Sequence, residues 1–598
     1  MPNGRDGDLS RRDILKLAGA SGVAGLVSIY PGRRSFAQAT KTYRLDIRET
    51  RITVDGVSSR AVMMGGSVPA PTMNWTEGDE IVVQATNRLD EPSSIHWHGL
   101  LIAGVMDGAP GFNGFVAIPP GGTYTYRFKL RQAGTYWYHS HSAGQEQSGM
   151  YGAIVIQPAA ANRVRADRDY VVVLSDHTQE NPRRVLANLK VDAAYYNRRQ
   201  RTLIDFLRDG NRDGYGAAIR DRLDWGEMRM DPTDLADVTG YAFLVNGRGP
   251  QDNWTGLFRP GERVRLRFIN ASAMSFFDVR IPGLAMTVVA ADGQDVEPVS
   301  ADEFRFGVGE TYDVIVTPPD DAAYTIFAEP IDRTGYARAT LATRHGLEGP
   351  IPERRARTIL SMNDMGMDHG SMDMSGTDMS GMDHSSMDMS GMDMSGMDHS
   401  SMNMSGMDMS GMDHSSMDMS GMDMSGMDHS SMTAGGGNGS RRRPFGWADA
   451  DTPAGKKALT YADLRAAVPS EDRREPTQEI ELRLTGIMER YIWTLNGEKF
   501  ARGGGIRVPY GERVRLRFVN TTMMAHPMHL HGMFVELENG QADAPPRKHV
   551  VVVPPGQTVT ALLTADEPGD WPFHCHLLYH MESGMMTRFI VEQRAARS

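Results

Sequence analysis

Polar and apolar residues alternate along three stretches of this chain that nearly share one sequence. Gly261 to Asn270 reads GERVRLRFIN and Gly511 to Asn520 reads GERVRLRFVN, while Gly78 to Asn87 reads GDEIVVQATN in the same pattern. In each, a glycine turn opens a run whose alternate side chains are apolar, the period of a strand with one buried face. Further along, PPGGTYTYRF from Pro119 and PPGQTVTALL from Pro554 match, as do GTYWYH from Gly134 and GDWPFH from Gly569. A looser version occurs at Thr311 to Val316 and Tyr324 to Phe327. These repeats predict three copies of one Greek-key β-sandwich in an all-β fold. A helical contribution is expected only around Leu186 to Leu223.

The copies are not equivalent. After Asn87 and Asn520 the chain runs into histidines, whereas after Asn270 it runs into ASAMSFFDVRIPG, which has none. The middle copy therefore reads as a spacer without ligands. A length of 598 residues suits three such units, since one core rarely serves more than roughly 250–300 residues.

Two segments do not fit the alternation. Residues 1–39 contain Ser10-Arg11-Arg12-Asp13-Ile14-Leu15-Lys16, then a weakly apolar stretch, then Ala37-Gln38-Ala39, the layout of a twin-arginine signal peptide with its cleavage site. Export to a bacterial periplasm is expected, with no membrane span in the mature chain and no nucleic-acid partner. The second segment, residues 362–432, is built on the 15-residue repeat MDHSSMDMSGMDMSG and holds 23 Met, 13 Asp and 5 His without Lys or Arg. The whole chain has net charge -12, so all of its acidity belongs to this tract. Lacking aromatic residues and nearly lacking β-branched ones, the tract cannot form a core and is expected to be disordered. Its thioethers prefer copper(I) and its imidazoles accept either copper state, so a copper-collecting arm is a better account than an inert linker.

Ten of the eighteen histidines fall in four short runs: HWHG at His96 and His98, YHSH at His139 and His141, HPMHLH at His526, His529 and His531, and HCHLLYH at His574, His576 and His580. The only cysteine, Cys575, lies in the last run, so it forms no intramolecular disulfide and is best explained as a metal ligand. On a strand Cys575 points to one face while His574 and His576 point to the other, which places two metal sites back to back. Each H-x-H puts two imidazoles on one side of a strand. Four such pairs, two near each end of the chain, supply eight ligands at one interface between the first and third copies.

These runs resemble the ligand motifs of multicopper oxidases, and in particular those of bacterial copper resistance. The resemblance implies three cupredoxin-like domains at 40–160, 161–350 and 476–598, with a linker at 351–475 that includes the tract. It also implies four copper ions. His526, Cys575 and His580 would bind the type 1 copper with Met585 as weak axial ligand; His96 and His529 the type 2 copper; and His98, His139, His141, His531, His574 and His576 the type 3 pair. Asp107 matches an acidic proton relay, although a turn role before Gly108 accounts for it equally well. Glu582 is a second relay candidate, standing beside Met581 where some relatives carry Glu.

The implied activity is oxidation of copper(I) to copper(II) in the periplasm, coupled to four-electron reduction of dioxygen to water. Other periplasmic copper-handling proteins are potential partners. Met524 matches a position that binds substrate copper(I) in related cuprous oxidases, but the Asp accompanying it there is Thr522 here. Two alternatives remain open: a copper-sequestering protein with secondary oxidase activity, and a laccase-like phenol oxidase.

Overall fold

A computed structural model describes residues 40–142, 144–227, 230–361, 364, 451–500 and 504–593. The signal segment, and the Met-rich tract apart from Asp364, lie outside the described residues. Six sheets pair into three sandwiches. The first packs a sheet in the order Val57–Met64, Thr40–Val54, Glu80–Asn87, Thr123–Lys129 with a second in the order Ala70–Thr76, Tyr151–Gln157, Gly134–His139, His96–His98. The third repeats this plan, with His526–Leu530 between Gly569–Cys575 and Val550–Val553. The middle sandwich has two six-stranded sheets and three helices, Pro182–Val191, Leu203–Asp213 and Tyr215–Glu227.

The repeated asparagine explains why each copy closes the same way. The amide of Asn87 donates to Glu91 O and Ile118 O, that of Asn270 to Ser275 O and Phe306 O, and that of Asn520 to Met524 O and Val553 O. In each copy Oδ1 also accepts the backbone N–H two residues on, an Asx turn that ends the strand and aims the following loop. In the outer copies that loop leads into the histidine-bearing strands.

The alternation holds in the third copy, where Arg513–Asn520 buries only every second residue over most of its length. It fails in the middle copy, where Val264–Asn270 is buried throughout because its second face meets the first sandwich. There Asp313 accepts from Arg265 Nε (3.0 Å), Arg267 Nη1 (3.1 Å) and Thr135 Oγ1 (2.7 Å), all buried. The matching Arg515 pairs with a half-exposed Glu538. Asp313→Ala should therefore lower unfolding stability by about 3 kcal/mol, since it strands buried guanidinium charge. Glu538→Ala should cost below about 1 kcal/mol. Denaturant titration of both variants checks the contrast.

Part of the 351–475 stretch is built into the middle sandwich. Ala458–Leu459 adds a parallel strand beside Glu303–Phe304, and Ala466 bridges to Val296. The described residues on either side of the tract meet, Thr358 Oγ1 donating to Asp451 Oδ2 at 3.1 Å.

Candidate metal centre

Two strands of the third sandwich set the first group of ligands. Gly569–Cys575 runs antiparallel to His526–Leu530 with Cys575 opposite Met528, and the short helix Leu578–Glu582 returns His580 to the same spot. Cys575 Sγ lies 3.5 Å from His526 Nδ1 and 3.7 Å from His580 Nδ1, and the two nitrogens are 3.1 Å apart. All three residues are buried. Burial pushes the Cys575 thiol up and His526 well below the usual histidine range, so both favour their neutral forms without a cation. The remote nitrogens fix the tautomers: His580 Nε2 meets Asp237 Oδ2 at 2.6 Å, and His526 Nε2 meets Thr522 Oγ1 at 2.7 Å. With Nε2–H donating outward, both Nδ1 lone pairs face Sγ, the trigonal donor set of an electron-transfer copper. Met585 is buried beside them, its carbonyl accepting from Cys575 N.

Back to back with this group, the four H-x-H pairs converge as expected. His96 pairs with His139 across one sheet, and His529 with His574 across another. His96 stacks on His531 with ring centroids 3.8 Å apart, and His98 on His529 at 3.9 Å, so the first and third sandwiches interleave their imidazoles. Donor atoms fall within mutual reach in the sets His98, His139, His576 and His141, His531, His574, and also in His96, His529, His531. The Nδ1 atoms of His96, His139, His529 and His574 lie 2.8–2.9 Å from the carbonyls of Asp107, Ser140, His549 and Cys575. The Nε2 atoms of His96, His98, His139, His529 and His576 are buried without a protein partner among the described residues. Unpaired buried nitrogens in such number are the signature of a ligand set. Burial, reinforced by repulsion between neighbouring imidazoles, lowers His141 and His576 to about 3, leaving lone pairs free for metal.

Carboxylates brace the imidazoles. Asp107 Oδ2 accepts from His531 Nδ1 at 2.8 Å, and Oδ1 lies 3.3 Å from His96 Nδ1, so one side chain ties the two outer sandwiches together. Glu582 stands at the end of its short helix with its residue surface exposed, burial of its carboxyl raising it above the usual range against the opposing charges of Lys190 and Arg183, and it joins no histidine set. The second acid at the cluster is Glu146, which the sequence reading missed. Its Oε2 lies 2.9 Å from His139 Nδ1 and its Oε1 4.0 Å from His576 Nδ1, and burial with nearby Asp176 holds it well above the usual carboxyl range. Asp237 and His549 were also missed. None of the three stands in a metal-binding spacing, although Glu146 follows YHSH by only five residues. Met524 packs half-buried against the core and Met523 is buried with Trp225, Leu235 and Leu360, both on the His526 side.

Residues 46–161, 168–346 and 473–595 match family models described as multicopper oxidase. The chain is 48% identical to copper resistance protein A of Escherichia coli, over 98% of this chain and 99% of that protein. It is 48% identical to copper resistance protein A of Pseudomonas syringae pv. tomato with the same coverage, and 28% identical to multicopper oxidase MmcO of Mycobacterium tuberculosis over 96% of this chain and 91% of that one. Among solved structures, Fet3p, a multicopper oxidase that functions in iron import, superposes with TM-score 0.63 at 18% identity, covering 92% of this chain and 90% of that one. A laccase from Botrytis aclada gives 0.60 at 19% identity, covering 93% and 88%.

Proposed function

The chain belongs to the multicopper oxidase family, copper-dependent oxidoreductases that use dioxygen, and from that premise we propose that it oxidises copper(I) to copper(II) in bacterial copper resistance. The observation that carries the reading is the placement of Cys575. It belongs to the His526–Cys575–His580 set, while its chain neighbours His574 and His576 each belong to a different histidine triple. Electron entry and dioxygen reduction are thereby joined by one tripeptide.

Four coppers would be held, one by His526, Cys575, His580 and Met585, one by His96 and His529, and two by the triples completed by His574 and His576; bound there, they would take electrons singly and pass four to dioxygen. The residues do the rest. Asp237 and Thr522 orient the two imidazoles at the entry site. Burial of all the ligands but His141, which is partly exposed, limits water at the cluster, and Asp107 and Glu146 place carboxyl oxygens beside the imidazoles as relays for the protons that water formation consumes. The domain division at 40–160, 161–350 and 476–598 is kept, with 458–466 assigned to the middle sandwich. Residues 1–39 are assigned to twin-arginine export into the periplasm. Among described helices none is long and apolar enough to cross a membrane.

For copper(I) over phenols, the support is the relatives' copper-resistance role together with the attachment of the Met-rich tract. Leu360, two residues before it, packs with Met523, which stands three residues from His526. The tract thus leaves the fold on the side of the entry site and would deliver copper(I) there, with Met524 as a receiving thioether. Removing residues 365–432 should raise the KM for copper(I) roughly tenfold, equivalent to about 1.4 kcal/mol. It should leave the blue absorption and the rate with a phenol unchanged. Steady-state oxygen uptake with chelated copper(I) and with a phenol checks both; a higher kcat/KM for the phenol in the intact chain would reject the copper(I) assignment.

A further inference from the structure

Six of the sixteen large apolar side chains that stand exposed among the described residues share one two-helix hairpin of the middle sandwich. They are Leu203, Ile204 and Leu207 on Leu203–Asp213, and Tyr215, Ile219 and Leu223 on Tyr215–Glu227. Steps of four residues keep each set on one helix face. Gly214, at φ +89, reverses the chain between the helices, and the Arg222 guanidinium lies 4.9 Å from the Phe206 ring across them. The two sets therefore join into one patch.

The opposite side of the hairpin is already occupied. There Asp209, Arg212, Ala218 and Asp221 line a cavity of about 680 Å³ shared with residues 356–361, and its charges are paired, Arg212 and Arg222 with Asp209 and Arg201 with Asp221. On the outer face Arg208 and Arg220 stand exposed beside the apolar residues, and Arg220 has no ion-pair partner among the described residues. At 46–72% exposed, the six side chains present on the order of 500 Å² of apolar surface. A contiguous patch of that size is commonly a contact surface. It falls short of the roughly 800 Å² per partner that a stable dimer buries, so a polypeptide segment is the better-sized occupant.

The chain itself supplies one. Ile359 and Ser361, where it runs toward the Met-rich tract, and Asp451, where it returns, line the cavity on the hairpin's inner side. A helix is roughly 10–12 Å across, which about four extended residues span, so residues 362–432 can reach the outer face easily. Their repeat sets thioethers beside carboxylates, as in MDMSG, without Lys or Arg. Thioethers adapt to an irregular apolar surface, and carboxylates suit the two arginines.

We propose that the Met-rich tract docks on the outer face of this hairpin, its methionines on the six apolar residues and its aspartates on Arg208 and Arg220. Trp225, near the end of the second helix, packs with Met523, three residues from His526. Docking there keeps the thioethers on the side of the entry site. That consequence rests on the reading of the tract as the carrier of copper(I).

The test places the photo-crosslinker p-benzoylphenylalanine at position 204 or 223 of the full chain. Irradiation is expected to join it to residues 365–432 of the same chain, with a yield independent of protein concentration. Crosslinks to a second copy overturn the proposal in favour of a dimer, and the absence of any crosslink to residues 365–432 overturns it outright. In a second arm, Leu207→Gln, Ile219→Gln and Leu223→Gln are combined in the full chain, and a protease that cuts before Asp is applied. Cleavage within the tract should become at least fivefold faster, with the blue absorption and the rate with a phenol unchanged. Cleavage at the native rate overturns the proposal. If the crosslink forms and cleavage accelerates while the KM for copper(I) stays at its native value in the triple variant, the docking stands and the delivery reading fails instead.

Discussion

Cys575→Ser should abolish the blue absorption and cut oxygen uptake with copper(I) by at least roughly 1000-fold, more than about 4 kcal/mol of lost transition-state stabilisation. A serine hydroxyl stays protonated and is a hard donor, so it cannot replace the thiolate that a redox copper selects. The substitution also removes the only sulfur between the entry site and the His574 and His576 triples. Folding should survive. The smaller hydroxyl lies within the buried space that Sγ fills between His526 and His580, so the stability cost stays at about 1 kcal/mol. The eight cluster histidines are untouched, and so is the Met-rich tract, so non-blue copper and copper bound by residues 362–432 should remain. Visible absorption, metal content and oxygen uptake on one preparation separate the outcomes. Retained turnover would show that electrons do not enter through Cys575. Unchanged copper protection in cells with turnover gone would favour sequestration as the working function.

Much of this centre was legible because it follows from short-range geometry. The H-x-H pairs share strand faces whatever the tertiary fold, and Cys575 must oppose His574 and His576. The glycine-to-asparagine repeat was legible for the same reason, since the Asx turns at Asn87, Asn270 and Asn520 are closed by side-chain bonds to residues two to thirty-six positions away. What was not legible depends on contacts between sandwiches. Arg265 and Arg515 occupy the same place in nearly identical decapeptides, yet one is buried at a domain interface and the other is partly solvated. Asp237 reaches His580 across 343 positions of sequence, and Asp292 clamps His549 across 257. Glu582 was a candidate because it adjoins Met581, the position where some relatives carry Glu. The helix that turns His580 inward turns Glu582 out, and Glu146 from the first sandwich takes the place at the cluster.

That exchange leads to the last expected result. Glu146→Gln should lower kcat about 100-fold, leave KM for copper(I) within about twofold, and keep both the blue band and the non-blue copper. Burial, with Asp176 nearby, holds Glu146 well above the usual carboxyl range, and glutamine reproduces its shape. The glutamine oxygen can still accept from His139 Nδ1, now 2.9 Å from Oε2, so the ligand keeps its orientation. What is lost is a proton that can be given up and regained, which dioxygen reduction needs and electron transfer to the entry site does not. Asp107→Asn should behave differently. Asp107 Oδ2 accepts from His531 Nδ1 at 2.8 Å, while Oδ1, 3.3 Å from a His96 Nδ1 that already meets the Asp107 carbonyl at 2.9 Å, has no hydrogen-bond partner among the described residues, so an amide must turn its N–H toward either His531 or His96. One imidazole would be left facing an N–H, so copper affinity at the cluster should fall roughly 10–100-fold along with kcat. Oxygen uptake normalised to copper content distinguishes the roles. A Glu146→Gln enzyme with full kcat removes it from proton delivery, and an Asp107→Asn enzyme that keeps all its copper limits Asp107 to holding a proton.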